Sequence, residues 1–313
     1  GEYIKAADAT LTIEEYGYFT YEAKTTFDVD KIEAALAREN VQHVIVALDK
    51  DVVLDRDLTI PQGGKRLIIE NEGGTLTIAA GTVLTLEKYT RGEDDAPPTG
   101  SMGGGIECSA PLVIEGTLSA EQGTYTAIYN RTIISETGRV NMEGEMGIGG
   151  QFVVKEGGHV TNNGWVDLWG EALPVMEAGW DSAWTQGADA TVRKGIDQPE
   201  LQAGDNAAEK IQTVINGIDL TALPGFVTYN MYVSVQELTG NIELTQDMTI
   251  PAGLELDIWG GISGAPLAIH VAEGATLTVN GALTSGLQLF VDGTMIVNGK
   301  AYARDAVAVG GTL

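Results

Sequence analysis

Four of the five tryptophans fall within one 20-residue stretch, at Trp165, Trp169, Trp180 and Trp184, with carboxylates interleaved at Asp167, Glu171, Glu177 and Asp181. Indole beside carboxylate is a chemistry that holds sugars: the ring stacks on a pyranose face while the acid takes hydroxyl hydrogen bonds. The competing reading is structural. Large aromatic rings are mostly buried, and this stretch falls where a first block of strands ends, so the same rings can plug an open core. The plug is the stronger reading. The four tryptophans stand beside it as ligand-binding residues of the sugar-stacking type.

Acid pairs come next. Asp49/Asp51 and Asp55/Asp57 are Asp-x-Asp pairs, which set two carboxylates on one face of a strand. That geometry can chelate Ca²⁺ through oxygen. The EF-hand loop and the Gly-Gly-x-Gly-x-Asp repeat are both missing, so a solvated outer face outweighs a Ca²⁺ site, and no other cofactor is expected. His43, His159 and His270 are far apart in sequence, and His270, between Ile269 and Val271, should point outward from a strand. Cys108 lies between Ile106 and Leu112 and reads as a small buried hydrophobe. There is no Gly-x-Ser-x-Gly, His-Glu-x-x-His or Walker loop, and Gly147-Ile148-Gly149-Gly150 lacks the strand-to-helix context of a dinucleotide loop. No catalytic residue is assigned.

The composition removes whole classes of partner. Against 44 acidic residues stand 18 basic ones, a net charge of −26 over 313 residues. A protein that neutralises phosphates needs the opposite balance, so nucleic acid is excluded, and docking on anionic lipid is disfavoured. No run of apolar residues is long enough to insert in a membrane, and residues 1–20 contain no signal peptide. Hydrophobic residues make up 43%, enough for a sizeable core. Glycine fills 41 positions, about twice the usual ~7%.

The elements that must position these residues are legible from an internal duplication. Asp57-Leu58-Thr59-Ile60-Pro61-Gln62-Gly63 recurs as Asp247-Met248-Thr249-Ile250-Pro251-Ala252-Gly253. Upstream of each copy lies a helix signal. Asp30 with Glu33 has the spacing of a capping box, with Ile32 and Leu36 on one face. Asn206 with Glu209 repeats it, with Ile211 and Ile215 on one face and Gly217 as a stop. After each turn come alternating apolar pairs. Leu58/Ile60, Leu67/Ile69, Leu76/Ile78 and Leu84/Leu86 have first members spaced 9, 9 and 8 residues apart, with glycines between. Alternation marks strands with one buried face.

An antiparallel sandwich and a parallel β-solenoid both fit such spacing. Asn-Gly hairpin signals are few, and a solenoid explains a helix before each copy, because its first coil exposes a core end and an unpaired strand edge. The expected fold is therefore all-β: a right-handed parallel β-helix (β-solenoid) of two duplicated units, each preceded by a short capping α-helix. Three strands per turn give roughly 25 residues per turn. Residues 1–175 form the N-terminal cap and first unit, 176–205 a linker or end cap, and 206–313 the second unit. Residues 89–105, with Asp94-Asp95-Ala96-Pro97-Pro98, form a loop thrown out of a turn.

The helix, the Val44-Ile45-Val46-Ala47-Leu48 strand, the Leu58-Thr59-Ile60-Pro61-x-Gly63 turn and Ala275-Thr276-Leu277-Thr278-Val279-Asn280-Gly281 together resemble bacterial secreted and cell-surface right-handed parallel β-helix proteins of pectate-lyase-like fold. The resemblance is to the adhesin-like, non-catalytic type. It implies an extracellular or cell-surface module for adhesion or surface structure, with glycans or another surface protein as partner. The alternative is a carbohydrate-binding module using residues 165–184, and behind it a polysaccharide lyase or hydrolase. The enzymatic members hold Ca²⁺ with carboxylates beside an Arg or Lys base, yet after Gly195 the cations are only Lys210, Lys300 and Arg304. Hydrolases of this fold carry Asp-Asp and Gly-His-Gly motifs. Here Asp94-Asp95 sits in a Pro/Gly loop and His159 is followed by Val160.

Overall fold

The computed structural model describes residues 9–13, 19–88, 103–169, 173–196, 199, 201, 206–234, 241–259, 268–303 and 307–312. Asp94-Asp95, most of the loop expected at 89–105, and Glu171 lie outside them. The chain divides into two compact units, Gly1–Val192 and Arg193–Leu313. Each is a parallel β-solenoid.

In the first unit six successive coils each supply one strand to each of three parallel sheets. The first sheet holds His43–Leu48, Arg66–Asn71, Gly105–Cys108, Tyr125–Ile128, Glu145–Ile148 and Trp165–Leu168. Phe19–Thr25 extends it in parallel, and Ala9–Ile13 pairs antiparallel beyond that. The sequence specifies this arrangement through columns. In the first sheet Val46, Ile69, Cys108, Ile128, Ile148 and Leu168 stand in register. In the third, Leu58, Leu84, Leu118, Val140, Val160 and Trp184 do. All of these are buried. Short strands with two inward residues cannot close a core alone. Stacked coils bury each other's apolar faces.

Two short helices sit where the sequence placed them, and a third lies in the expected end cap. Helix α1 (Val29–Leu36) buries Val29, Ile32, Ala35 and Leu36 and packs on the first coil's strands His43–Leu48 and Leu58–Ile60. Its cap is Asp28, whose carboxylate accepts from Lys31 N at 3.2 Å, and not the expected Asp30. Asp30 lies inside the first turn, where Arg56 of the first coil pairs with it and with Glu33. The residue that the capping pattern singled out instead joins an exposed ion pair to the coil. Helix α2 (Trp180–Ala183) is a single turn. Helix α3 (Ala207–Gly217) opens the second unit on the expected Asn206 cap, with Glu209 N donating to Asn206 Oδ1 at 3.2 Å. It packs on Ile242–Leu244 and Met248–Ile250.

The duplicated motif is a coil corner. Asp57 Oδ1 accepts from Val83 N at 2.8 Å, and Asp247 Oδ1 accepts from Thr276 N at 2.8 Å. Each carboxylate thus satisfies a backbone donor of the next coil. Gly63 and Gly253 follow at φ 88° and 84°, the left-handed region that favours glycine. Ile60 and Ile250 are both wholly buried.

The coil length differs from the roughly 25 residues expected. His43 and Arg66, in register, are 23 residues apart, but Gly105, Tyr125, Glu145 and Trp165 stand at intervals of 20. Corners tighten because glycines let coils touch. A Cβ at Gly164 would lie 2.1 Å from the Gly144 carbonyl oxygen.

Candidate binding face

The 20-residue interval decides which side chains meet outside the coils. Since the Ile106 and Cys108 positions point inward, the outward rows of the first sheet run Gly105, Tyr125, Glu145, Trp165 and Glu107, Ala127, Gly147, Asp167. A third row follows the strand ends: Ser109, Tyr129, Gly149 and Trp169, with the last three donating backbone N–H bonds to Cys108, Ile128 and Ile148 of the preceding coil. Neighbours in a row are one coil apart, about 4.8 Å. In the middle row the small residues Ala127 and Gly147 lie between the acids Glu107 and Asp167, and aromatic residues occupy the rows on either side.

Three rings stand out from this surface: Tyr129 is 48% exposed, Trp169 45% and Trp165 37%. The Tyr129 and Trp169 rings stack with centroids 6.2 Å apart and planes at 28°. Trp169 lies on Gly147, where a Cβ would come within 2.0 Å of its ring. Ala127 is covered completely although it points outward.

Arg66 and Tyr125 close the other side. The Arg66 guanidinium sits 4.9 Å above the Tyr125 ring and pairs with Glu107. Its stem passes over Gly105, where a Cβ would stand 3.2 Å from Arg66 Cγ. Burial, the neighbouring Tyr129 phenol bonded to it, and Glu107 push the Tyr125 hydroxyl up to about 12, against a smaller opposing pull from Arg66. Tyr125 is thus a neutral phenol across the physiological range.

The four tryptophans separate into two pairs. Trp165 and Trp169 belong to the outer face. Trp184 is buried, 5% exposed, as the last member of the third sheet's inward column after Val160, and its Nε1 donates to Gln186 Oε1 at 2.8 Å. Trp180, half-buried on α2, rests against it with centroids 5.5 Å apart. His159 ties α2 to the fifth coil, with Nδ1 3.1 Å from Ser182 O and Nε2 2.9 Å from Thr185 Oγ1.

The Asp-x-Asp pairs are spread along coil corners. Asp51 Oδ1 accepts from Thr75 N at 2.9 Å, and Asp57 serves Val83 as described; Asp49 and Asp55 are exposed. Among the described residues no three His, Cys, Asp or Glu side chains are grouped to share a metal ion. Burial pushes the Cys108 thiol up to about 12, which makes it a poor nucleophile. Glu177 is lowered by its bond to Lys155 and Asp219 by Thr221, the opposite of the shift a general acid requires.

Tyr125, Tyr129, Arg66 and Glu107 were not singled out from the sequence. The signal that finds them is the coil interval: Tyr125 and Trp165 are two coils apart on one row, and Tyr129 and Trp169 two coils apart on another. No protein-family model, curated protein or solved structure matches the chain.

Proposed function

We propose that the chain is a non-catalytic β-solenoid module of an extracellular or cell-surface protein, adhesin-like in type, whose adhesive surface is the outer face of the first sheet in the first unit. The observation that carries this reading is the trio of exposed rings Tyr129, Trp165 and Trp169 on a rigid stacked sheet. Water-facing aromatic rings on a regular scaffold lose little entropy on binding, because their rotamers are already held by neighbours. Trp169 is held by Gly147 and Tyr129. The pectate-lyase-like likeness read from the sequence favours the same location, and the net charge of −26 favours an uncharged or cationic partner.

The test is attachment. Beads coated with the protein are passed over immobilised cell-wall and extracellular-matrix preparations, beside beads carrying Trp169→Ala and Tyr129→Ala variants. Attachment by the wild type that drops with either variant supports the reading. Equal attachment by all three, or none by the wild type, overturns it.

A further inference from the structure

We propose that this outer face binds a neutral glycan, with a sugar ring on the Tyr129–Trp169 pair and its hydroxyls bonded by Asp167 and Tyr125. The inference rests on the reading of this face as adhesive and names its ligand class.

Size points to a small ligand. An aromatic side chain carries about 150–250 Å² of surface. Less than half of each of the three rings is exposed, so the patch falls well short of the ~800 Å² per partner of a stable protein–protein interface. A sugar needs only a flat apolar surface and a few polar groups beside it.

Charge points to a neutral one. Arg66, a cation at this face, is already paired with Glu107 and laid over Tyr125. Glu145 and Asp167 bring further negative charge to the outward rows. A uronate or phosphate would meet carboxylates with Arg66 engaged. Hydroxyl groups meet acceptors, which carboxylates are, and the Tyr125 oxygen, its proton directed to Tyr129, is a further acceptor.

Position gives the polar contacts. Asp167 stands between Trp165 and Trp169 on the same strand face, half-buried, beside Gly147 on the preceding coil. Gly149, between Tyr129 and Trp169 in their row, leaves room for a Cβ, which would make ordinary contacts at 3.6 Å with Ile128 O and 3.8 Å with the Tyr129 ring. A side chain placed at 149 would therefore obstruct the sugar without displacing the backbone.

The experiment titrates the protein with neutral glucan, mannan and chitin oligosaccharides, and with oligogalacturonate, followed by calorimetry. At least one neutral oligosaccharide should bind, and oligogalacturonate should not. Trp169→Ala and Asp167→Asn should each weaken that binding at least about tenfold. Gly149→Gln should do the same with an unchanged melting temperature, which separates a blocked site from a damaged fold. Failure of every neutral oligosaccharide to bind, undiminished binding by Gly149→Gln, or preferential binding of oligogalacturonate would overturn the proposal. Bead attachment to surfaces stripped of glycan by glycosidase digestion distinguishes the two readings. Attachment that persists there and still needs Trp169 leaves the adhesive face standing and removes the glycan.

Discussion

Trp169 lies flat enough on Gly147 that a Cβ at position 147 would fall 2.0 Å from the indole ring. The two residues belong to adjacent coils, and the missing side chain of one is the seat of the other. Gly147→Ala should lift the indole off the sheet and separate it from Tyr129. Tryptophan emission should shift and glycan affinity should fall, while unfolding free energy changes by no more than about 1 kcal/mol, because the displaced ring is half exposed. An unchanged emission spectrum would show that Trp169 is not seated there.

Asp57 and Asp247 should behave alike, since each accepts one backbone N–H from the next coil. Replacing either by Ala should cost about 0.5–1.5 kcal/mol in denaturant unfolding, the net worth of one hydrogen bond whose donor water can still reach. Asn at the same position keeps an acceptor oxygen and should recover most of the loss. A neutral effect of both Ala variants would remove the corner role.

Thr126 occupies an inward position between Ile106 and Met146, is wholly buried, and its hydroxyl has no hydrogen-bond partner. A buried unpaired hydroxyl is a standing penalty. Thr126→Val keeps the shape and should stabilise the first unit by about 1 kcal/mol in the same assay. Destabilisation would mean the hydroxyl is satisfied.

These tests separate what was legible in the sequence from what was not. The alternating pairs, the duplicated corner and both helices could be read directly, because period-2 burial and capping are local rules. Asn206 caps as its pattern indicated, whereas Asp28 takes the cap of α1 and Asp30, inside the first turn, pairs with Arg56 from a distant part of the sequence. The candidate face depended on the coil interval. Spacings at the start of the chain gave a value near 25, and Leu58 to Leu84 is indeed 26 residues, but the later coils shorten to 20. With the longer interval Tyr129 and Trp169 do not meet. Proximity in sequence also joins Trp184 to Trp169, although strand alternation sends one inward and the strand end leaves the other outside.

His270 should make the stability of the second unit depend on pH. Its Nε2 bonds Asp292 Oδ2 at 3.0 Å and its Nδ1 bonds Glu243 Oε2 at 2.7 Å, and these two partners raise it above its ordinary value of 6.5, against a smaller loss from burial. A raised folded value means the unfolded chain releases the proton first. The stabilisation is then fully present below pH 6.5 and is lost as pH climbs through the folded value above it. His270→Gln should flatten the unfolding curve in that window alone. A wild-type stability that rises from pH 6.5 upward through the same bonds would contradict the assignment.

The proposed adhesive face is tested most directly by hydroxyl-radical footprinting, read by mass spectrometry, of the wild-type protein with and without a saturating neutral oligosaccharide. Tyr129 and Trp169 should be protected, and Trp165 beside them. Tyr302, 61% exposed in the second unit, should oxidise equally in both samples. Protection spread evenly over Tyr302 and the three rings, or oxidation of Trp169 unchanged by the ligand, would contradict the account.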